Sequence, residues 1–559
     1  MGRHIRRKYT LGVFLFLLGW AASLLNAGSV SAAASESPPG PDRYIAVPVQ
    51  YTIYEWWLLS WDDNQTVCVI TTEHEGLPTL GEIYVDCGEY VYDAWMEQPP
   101  CPPEIYSDDP STCPGYYIHL ASSTPAERDI AIALPPPVVW VTLKDCIPES
   151  TTNRCASAPT LVLTGDEPVA GERILQIVGE IDGDPFTCDA HCELPLPDTD
   201  EEGIPIEFWA YSSYGDSSNV FDAQVRVIFV EEDDTDEPFW YVDALSSQWR
   251  GAPAASCAES WQAFPPVGGP PDWLSTPDNI SNLESGLAYS YLAGNLINQG
   301  LVDASACQNF GLLANGQANT CGVEVAMPAI TEWQNRFDTL IMEAAQETSI
   351  PANLLKNLFA RESQFWPGVF NEGGDIGLGQ LTEDGADIAL LWNPSFFEQF
   401  CPLILEDEDC QKGYLHLTEE QRVRLRGALV YSVNATCADC PLGLDLTQAN
   451  LSISVFAHTL LGSCEQAGRV VQLNTGGDIP GAVSNYEDLW KFTLINYNAG
   501  AGCLGLAIDK TDKAGDSIDW EHVSANLTEV CQRAKDYVED ITLLPTTQDF
   551  IYPDGNQND

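Results

Sequence analysis

Glu362 is the residue of this chain whose position best suits acid–base chemistry. It follows Leu355 and Leu358 at helical spacing, so its carboxyl continues an apolar stripe that faces the core. Desolvation disfavours the charged form of a carboxyl, and a general acid near neutral pH needs that effect. An ordinary glutamate paired with Arg361 or with a distant base is the alternative interpretation.

A turn-rich loop follows and ends at residues 377–380, Gly-Leu-Gly-Gln. Here the chain resembles the transglycosylase SLT family of lytic transglycosylases, relatives of goose-type lysozyme. The family's first motif, Glu-Ser before an aromatic or apolar residue, is here Glu-Ser-Gln-Phe at 362–365. Its second motif, Gly-Leu-Met-Gln, is matched except that Gly379 replaces the methionine. Glu362 and Gln380 lie 18 positions apart, the usual separation in the family.

A third motif lies at residues 494–502, Leu-Ile-Asn-Tyr-Asn-Ala-Gly-Ala-Gly, and resembles the family's Ala-Tyr-Asn-Ala-Gly-Pro-Gly. The resemblance covers about residues 330–510. The third motif lies further from Glu362 than is usual, and the excess falls at about 393–446. We interpret that excess as an insertion held by disulfides. The matching positions of the third motif are Tyr497, Asn498, Ala499, Gly500 and Gly502.

The resemblance implies an enzyme that cleaves the β-1,4 bond between N-acetylmuramic acid and N-acetylglucosamine in peptidoglycan glycan strands, its expected partner. Members of this family use one carboxylate where glycosidases usually use two. Glu362 is therefore expected to act as the acid on the glycosidic oxygen. It then acts as the base on the muramic C6 hydroxyl, which closes a 1,6-anhydro ring. No cofactor and no metal ion are expected.

The resemblance also gives supporting roles to four polar residues. Ser363 and Tyr497 are expected to orient the catalytic carboxyl by hydrogen bonding. Gln380 and Asn498 carry amides that suit sugar hydroxyls and N-acetyl groups. Structural roles are the alternative, with Tyr497 in the core and Asn498 in a turn before Gly500.

Two other functions are alternatives at this point. A goose-lysozyme-type muramidase, a hydrolase, would need a base for water, and Asp375, Asp384 and Asp387 are available downstream. A surface binding or adhesive protein with an inactive lysozyme-like domain is the other alternative. Its main activity would then lie in the β-rich domains.

The sequence predicts strands in the first part of the chain and helices in the part that carries these residues. Short runs rich in β-branched and aromatic residues recur from Tyr44, whereas helical spacing of apolar residues begins near Ile330. Ser349 and Pro351 predict the start of the helix that carries Glu362. The predicted fold is multidomain, with an N-terminal all-β, sandwich-like region followed by a mainly α, lysozyme-like catalytic domain. The predicted segments are a signal peptide (1–34), a β-rich domain (35–130), a β-sandwich-like domain (134–232), an acidic, Pro/Gly/Ala-rich linker with helical segments (233–328), the lysozyme-like transglycosylase domain (329–545) and a tail (546–559).

The β-rich and catalytic segments differ in periodicity, and the motifs all lie in the second. We therefore predict that residues 325–545 fold alone and cleave soluble glycan fragments. The β-rich domains are then expected to bind a cell-surface ligand and to retain the enzyme on the wall.

The N-terminus predicts export to the extracellular space or the cell envelope. Basic residues precede an apolar run from Leu11 to Leu25, and small residues follow at cleavage spacing. An uncleaved N-terminal segment that anchors the protein is the alternative. In an exported chain the 18 cysteines favour disulfides over zinc ligands. Close pairs are Cys188/Cys192, Cys401/Cys410 and Cys437/Cys440.

The charge of the chain is strongly negative. It has 82 acidic residues against 24 Lys and Arg, a formal net charge of −58. Such a chain repels nucleic acid, which excludes a nucleic-acid partner, and it repels anionic lipid. It also repels peptidoglycan, which is itself acidic, and a saline or acidic exterior would screen or neutralise these carboxylates. A charged coat that keeps an exported protein soluble is the alternative interpretation of the charge.

Overall fold

The computed structural model describes residues 38–146, 153–231, 238–250, 257–368 and 376–544. In these residues the N-terminal part consists of antiparallel sheets and the C-terminal part of helices, which confirms the broad layout predicted from sequence. The predicted signal segment and tail lie outside the described residues. No helix in the described part is both long and apolar enough to cross a membrane.

The first β-rich unit is a three-stranded antiparallel sheet in the order β2-β1-β3. Strand β1 (Tyr44–Ser60) pairs along its length with β3 (Tyr116–Ala133), whereas β2 (Thr66–Thr72) pairs only with residues 54–59 of β1. Residues 44–53 and 124–133 therefore form a two-stranded ribbon, and residues 54–123 form a three-stranded head. The head also contains α1 (Leu80–Cys87), α2 (Glu89–Glu97) and α3 (Pro103–Asp108).

The head has a small core. Helices α1 and α2 cover one face of its sheet, where Trp56, Leu58 and Ile70 are buried against Ile83. A unit with so little buried apolar surface needs covalent cross-links. The disulfides Cys68–Cys87 and Cys101–Cys113 supply them.

Nine strands form the predicted β-sandwich-like domain. They make two sheets in the orders β4-β6-β9 and β5-β12-β11-β10-β7-β8. Residues from both sheets share one core, which includes Val141, Leu163, Phe208 and Val225. The last strand carries this domain beyond the predicted boundary at residue 232. The strands are β4 (Val138–Lys144), β5 (Arg154–Cys155), β6 (Thr160–Asp166), β7 (Ile174–Ile181), β8 (Asp184–Cys188), β9 (His191–Pro195), β10 (Ile204–Ser212), β11 (Phe221–Val230) and β12 (Phe239–Leu245).

Arg43 joins the base of the ribbon to the sandwich. Its guanidinium pairs with Glu167 at 2.7 Å and with Asp216 at 2.6 Å, and all three side chains are buried. A buried arginine with two carboxylates is a fixed junction, because loss of either partner would leave an unpaired charge away from water.

The C-terminal part is built around two long helices, α13 and α15, which pack against each other. Helix α8, which carries Glu362, and helix α17 both pack into the same core. The helices are α4 (Ala258–Trp261), α5 (Ser290–Asn298), α6 (Thr320–Asn335), α7 (Asp338–Thr348), α8 (Ala352–Ser363), α9 (Glu383–Trp392), α10 (Pro394–Phe400), α11 (Asp407–Cys410), α12 (Glu419–Ser432), α13 (Leu446–Asn474), α14 (Pro480–Val483), α15 (Tyr486–Ala514), α16 (Trp520–Ala525) and α17 (Arg533–Leu543).

Residues 257–328 belong to this helical core, in contrast to the linker predicted for 233–328. Trp261 and Tyr289 are each 1% exposed, and Trp273 is buried beside them. Cys257 is bonded to Cys464 of α13. The segment is rich in Ala, Ser, Gly and Pro, which is typical of loops, but its large aromatic side chains point inward. The domain boundary predicted at residue 329 is therefore corrected to a position at or before Cys257.

Two hydrogen bonds between Gln364 and residues 291–292 support this corrected domain boundary. Gln364 directly follows α8, and its Oε1 accepts from the backbone N–H groups of Tyr291 at 2.9 Å and Leu292 at 3.3 Å. These are donors of the first turn of α5, which otherwise lack a partner within the helix. The segment before residue 325 thus holds the end of the helix that carries Glu362.

All 18 cysteines are paired in nine disulfides. The three close pairs predicted from spacing are among them, so the use of cysteine in cross-links is confirmed. Nine disulfides indicate an oxidising, extracellular environment.

Candidate functional site

Helix α8 carries Glu362 on its last turn, where the side chain is half-buried. The N-cap of the helix is Pro351, whereas Ser349 ends the preceding helix in a left-handed conformation with φ of 57°. The apolar stripe that leads to Glu362 is buried, as its spacing predicts, so the carboxyl lies at the border of core and solvent. The stripe consists of Leu354, Leu355, Leu358 and Phe359.

Tyr537 makes a hydrogen bond that orients Glu362. Its phenolic O–H donates to Glu362 Oε1 over 2.6 Å. A second tyrosine, Tyr497, lies within electrostatic reach of the same carboxyl. Burial, and then the charge of Glu362, raise the pKa of both tyrosines well above its usual range. Both hydroxyls therefore stay protonated and available as donors.

The position of Tyr537 is set by the packing of α17 on α8 and by a disulfide. Two side chains of α8 bond to α17, and the disulfide joins α15 to the turn that precedes α17. The position of Tyr537 is therefore fixed by a disulfide before α17 and by hydrogen bonds near the end of α17. The contacts are Asn357 Nδ2 to Ile541 O at 3.1 Å, Arg361 Nε to Asp540 Oδ2 at 2.8 Å, and Cys503–Cys531.

The two residues predicted to orient the carboxyl have other hydrogen-bond partners. Ser363 is fully buried, and its hydroxyl donates to Phe359 O over 3.2 Å within the same helix. The hydroxyl of Tyr497 donates to Gly379 O over 2.6 Å. Ser363 therefore stabilises the end of α8, and Tyr497 ties the third motif to the second. The orienting bond comes from a residue that the motifs did not include.

The ring of Phe456 explains the glycine at position 379. A Cβ at residue 379 would lie 2.4 Å from Cδ1 of Phe456, a residue of α13. At Gly377, where φ is 81°, a Cβ would lie 2.8 Å from Val433 O. Both glycines are needed where the loop crosses α13, because the backbone approaches too closely for a side chain. Phe456 thus fills the space that a larger residue at 379 would require.

Introducing the family's methionine by Gly379→Met is expected to destabilise the protein by about 1–3 kcal/mol through overpacking. Urea unfolding measures the loss. The double variant Gly379→Met with Phe456→Ala should recover part of it, because the smaller side chain vacates the contested space. Additive losses in the double variant would contradict this account of the loop.

Gln380 and Asn498, the predicted sugar-binding amides, lie in different settings. Gln380 has a left-handed φ of 55°, and its Nε2 donates to Gly377 O over 2.6 Å. Its Oε1 is buried and has no hydrogen-bond partner among the described residues. An acceptor of this kind suits a donor such as a sugar hydroxyl or amide. Asn498 is exposed, two residues before Gly500, whose φ of 80° breaks α15.

The three acids proposed as a base for water have different surroundings. Asp387 accepts from the hydroxyl of Tyr414 and pairs with Arg426 at 2.8 Å, so both of its carboxylate oxygens are engaged. Asp384 is exposed on the first turn of α9. Asp375 lies outside the described residues.

The predicted insertion at 393–446 folds as α10, α11 and α12, with disulfides Cys401–Cys410 and Cys437–Cys440. An open cavity of about 600 Å³ lies between the insertion and the end of α9, beside Leu390, Phe397 and Tyr414. None of the predicted site residues lines it. We do not take this cavity as the candidate site, because the contact between Glu362 and Tyr537 lies outside its lining.

The three predicted motifs thus meet around one half-buried carboxyl. Tyr497 links the third motif to the second, and Tyr537 bonds to the first. The arrangement offers one group for proton transfer and an unsatisfied amide oxygen for a polar ligand. No protein-family model, no curated protein and no solved structure matches this chain.

Proposed function

We propose that this protein is an exported peptidoglycan lytic transglycosylase whose lysozyme-like domain uses Glu362 as its single general acid and base. The observation that carries the proposal is the 2.6 Å hydrogen bond from Tyr537 to Glu362 Oε1. It orients the carboxyl at the border of core and solvent, where the helix end places it half-buried. A carboxyl held in one orientation at such a border suits proton transfer to a bound substrate.

In the proposed reaction Glu362 first gives its proton to the oxygen between the muramic and glucosamine rings. The glycosidic C–O bond breaks, and the leaving sugar keeps that proton as a hydroxyl. Glu362, now ionised, takes the proton of the muramic C6 hydroxyl as O6 bonds to C1. The carboxyl is thereby restored, and the product carries a 1,6-anhydro ring.

Protein groups support both steps. The O–H of Tyr537 stabilises the ionised carboxylate that exists between them, because hydrogen bonds to charged acceptors are strong. The unsatisfied Oε1 of Gln380 and the exposed amide of Asn498 suit the hydroxyls and N-acetyl groups of the strand.

Mass spectrometry of peptidoglycan digested by the purified protein tests the proposal. Products with 1,6-anhydromuramic ends are the expected result. Reducing muramic ends would show the muramidase alternative instead. No cleavage under any salt or pH condition would favour the binding or adhesive alternative, in which the lysozyme-like domain is inactive.

Tyr537→Phe is expected to lower kcat by about 10- to 100-fold, because a hydrogen bond to a charged group contributes about 1.5–3 kcal/mol. The alkaline limb of the pH–rate profile should also shift to higher pH, because Glu362 must be protonated to act first as an acid and removal of the donor raises the pKa of its carboxyl. Kinetics on soluble glycan fragments across pH measure both effects.

Tyr497→Phe is the matched variant for that test. It removes the bond to Gly379 O and leaves the donor to Glu362 in place. The alkaline limb should then stay where it is in the wild type. An unchanged pH profile in Tyr537→Phe would rule out the orienting role of Tyr537.

A further inference from the structure

The sheet of the head has one face that α1 and α2 leave uncovered. Trp56 and Leu58 point to the helix-covered face, so the alternate residue Trp57 points to the other. Trp61 follows β1 in the turn, and its ring packs on that of Tyr117. Cross-strand register places His119 opposite Trp57 and Tyr117 opposite Leu59 on this outer face. The outer face thus collects aromatic side chains from β1, from β3 and from the turn after β1.

Four of these side chains are here called the aromatic platform: Trp57, Trp61, Tyr106 and Tyr117, of which the last three are joined by ring contacts. The rings of Trp61 and Tyr117 lie 4.1 Å apart between centroids and are inclined by 33°. Tyr106 of α3 meets Trp61 edge-on at 6.0 Å. Trp57 is 37% exposed and Tyr106 is 56% exposed. Large aromatic surface in contact with water at this density marks a binding surface.

The rings of the platform are held in place by polar neighbours. The indole N–H of Trp57 donates to Glu55 Oε1 over 2.7 Å, and the hydroxyl of Tyr117 donates to Asn64 Oδ1. Rings fixed before binding lose little conformational freedom when a ligand is bound.

The charge around the platform restricts the ligand. Residues 54–123 contain 13 acidic residues and no Lys or Arg. Anionic partners such as nucleic acid, phosphate polymers and anionic lipid are repelled by such a surface. The carboxylates are acceptors only, so they match a ligand rich in hydroxyl donors.

We propose that the aromatic platform binds a neutral glycan chain. The faces of pyranose rings are apolar C–H surfaces that pack on aromatic rings, while their edges carry hydroxyls for the surrounding carboxylates. This binding activity belongs to the head and is independent of the catalysis proposed for the helical domain.

Co-sedimentation with insoluble chitin and with cellulose tests the proposal. The full chain is used with Glu362→Gln, so that any cleaving activity does not consume the polymer. Binding to at least one of these neutral glycans is expected, with little change between low and high salt. Trp57→Ala and Tyr106→Ala should each weaken it by about tenfold, the cost of removing a central aromatic contact.

Tyr90→Ala is the matched control, because Tyr90 is 84% exposed but lies on α2, on the covered side of the sheet. It should bind like the parent protein, and circular dichroism should show the same fold in all variants. Equal losses in Tyr90→Ala, or no binding to either polymer, would overturn the proposal. Salt-sensitive binding to polylysine without glycan binding would overturn it in favour of a cationic partner.

Discussion

Glu362→Gln is expected to abolish glycan cleavage, with a loss of at least about 10³-fold. The substitution removes the proton that the first step transfers and the charge that the second step uses. It keeps the shape of the side chain and an oxygen that accepts from Tyr537, so the fold should be retained. Release of soluble fragments from purified peptidoglycan measures the activity, and thermal unfolding measures the fold.

Asp384→Asn is the control for that experiment. Of the two described acids considered as a base for water, Asp384 is exposed, whereas Asp387 is paired with Arg426. If the single-carboxylate mechanism holds, this variant should cleave like the wild type and give the same anhydro products. A folded Glu362→Gln protein that still cuts at more than a few per cent of the wild-type rate would refute the assignment of Glu362.

A fragment of residues 325–545 is expected to remain unfolded or to aggregate, whereas residues 257–545 should fold. The shorter fragment lacks Trp261, Tyr289 and Leu292, all of which are buried in the helical core. Each such side chain contributes about 1.5–3 kcal/mol when buried. Together they approach the whole stability of a domain, about 5–15 kcal/mol. The shorter fragment also leaves Cys464 without its partner Cys257.

Near-UV circular dichroism and urea unfolding of the two fragments measure the difference. The longer fragment should show a single cooperative transition and, under the proposed function, should cleave soluble glycan fragments. It should also lose binding to neutral glycans, because it lacks the aromatic platform. Cooperative unfolding and full activity of residues 325–545 would restore the domain boundary predicted from sequence.

The local features of the site could be predicted from sequence because they depend on neighbours a few positions away. The spacing of Leu355, Leu358 and Glu362 determines that the carboxyl extends a buried stripe, and α8 shows that placement. The division into strands and helices follows in the same way from two different periodicities. The even number of cysteines in an exported chain determined their use as disulfides.

Only the tertiary structure decided which residues meet Glu362 and how large its domain is. Tyr537 lies 175 positions from Glu362, and no local spacing relates the two. The glycine at 379 is explained by a ring of α13, which the motif itself does not reveal. Residues 257–328 have a loop-like composition, yet their large aromatic side chains are buried in the helical core. Periodicity in the sequence indicates only which face of each helix is apolar. Contacts between distant segments depend on how the helices pack, and the side chains of the whole core determine that packing.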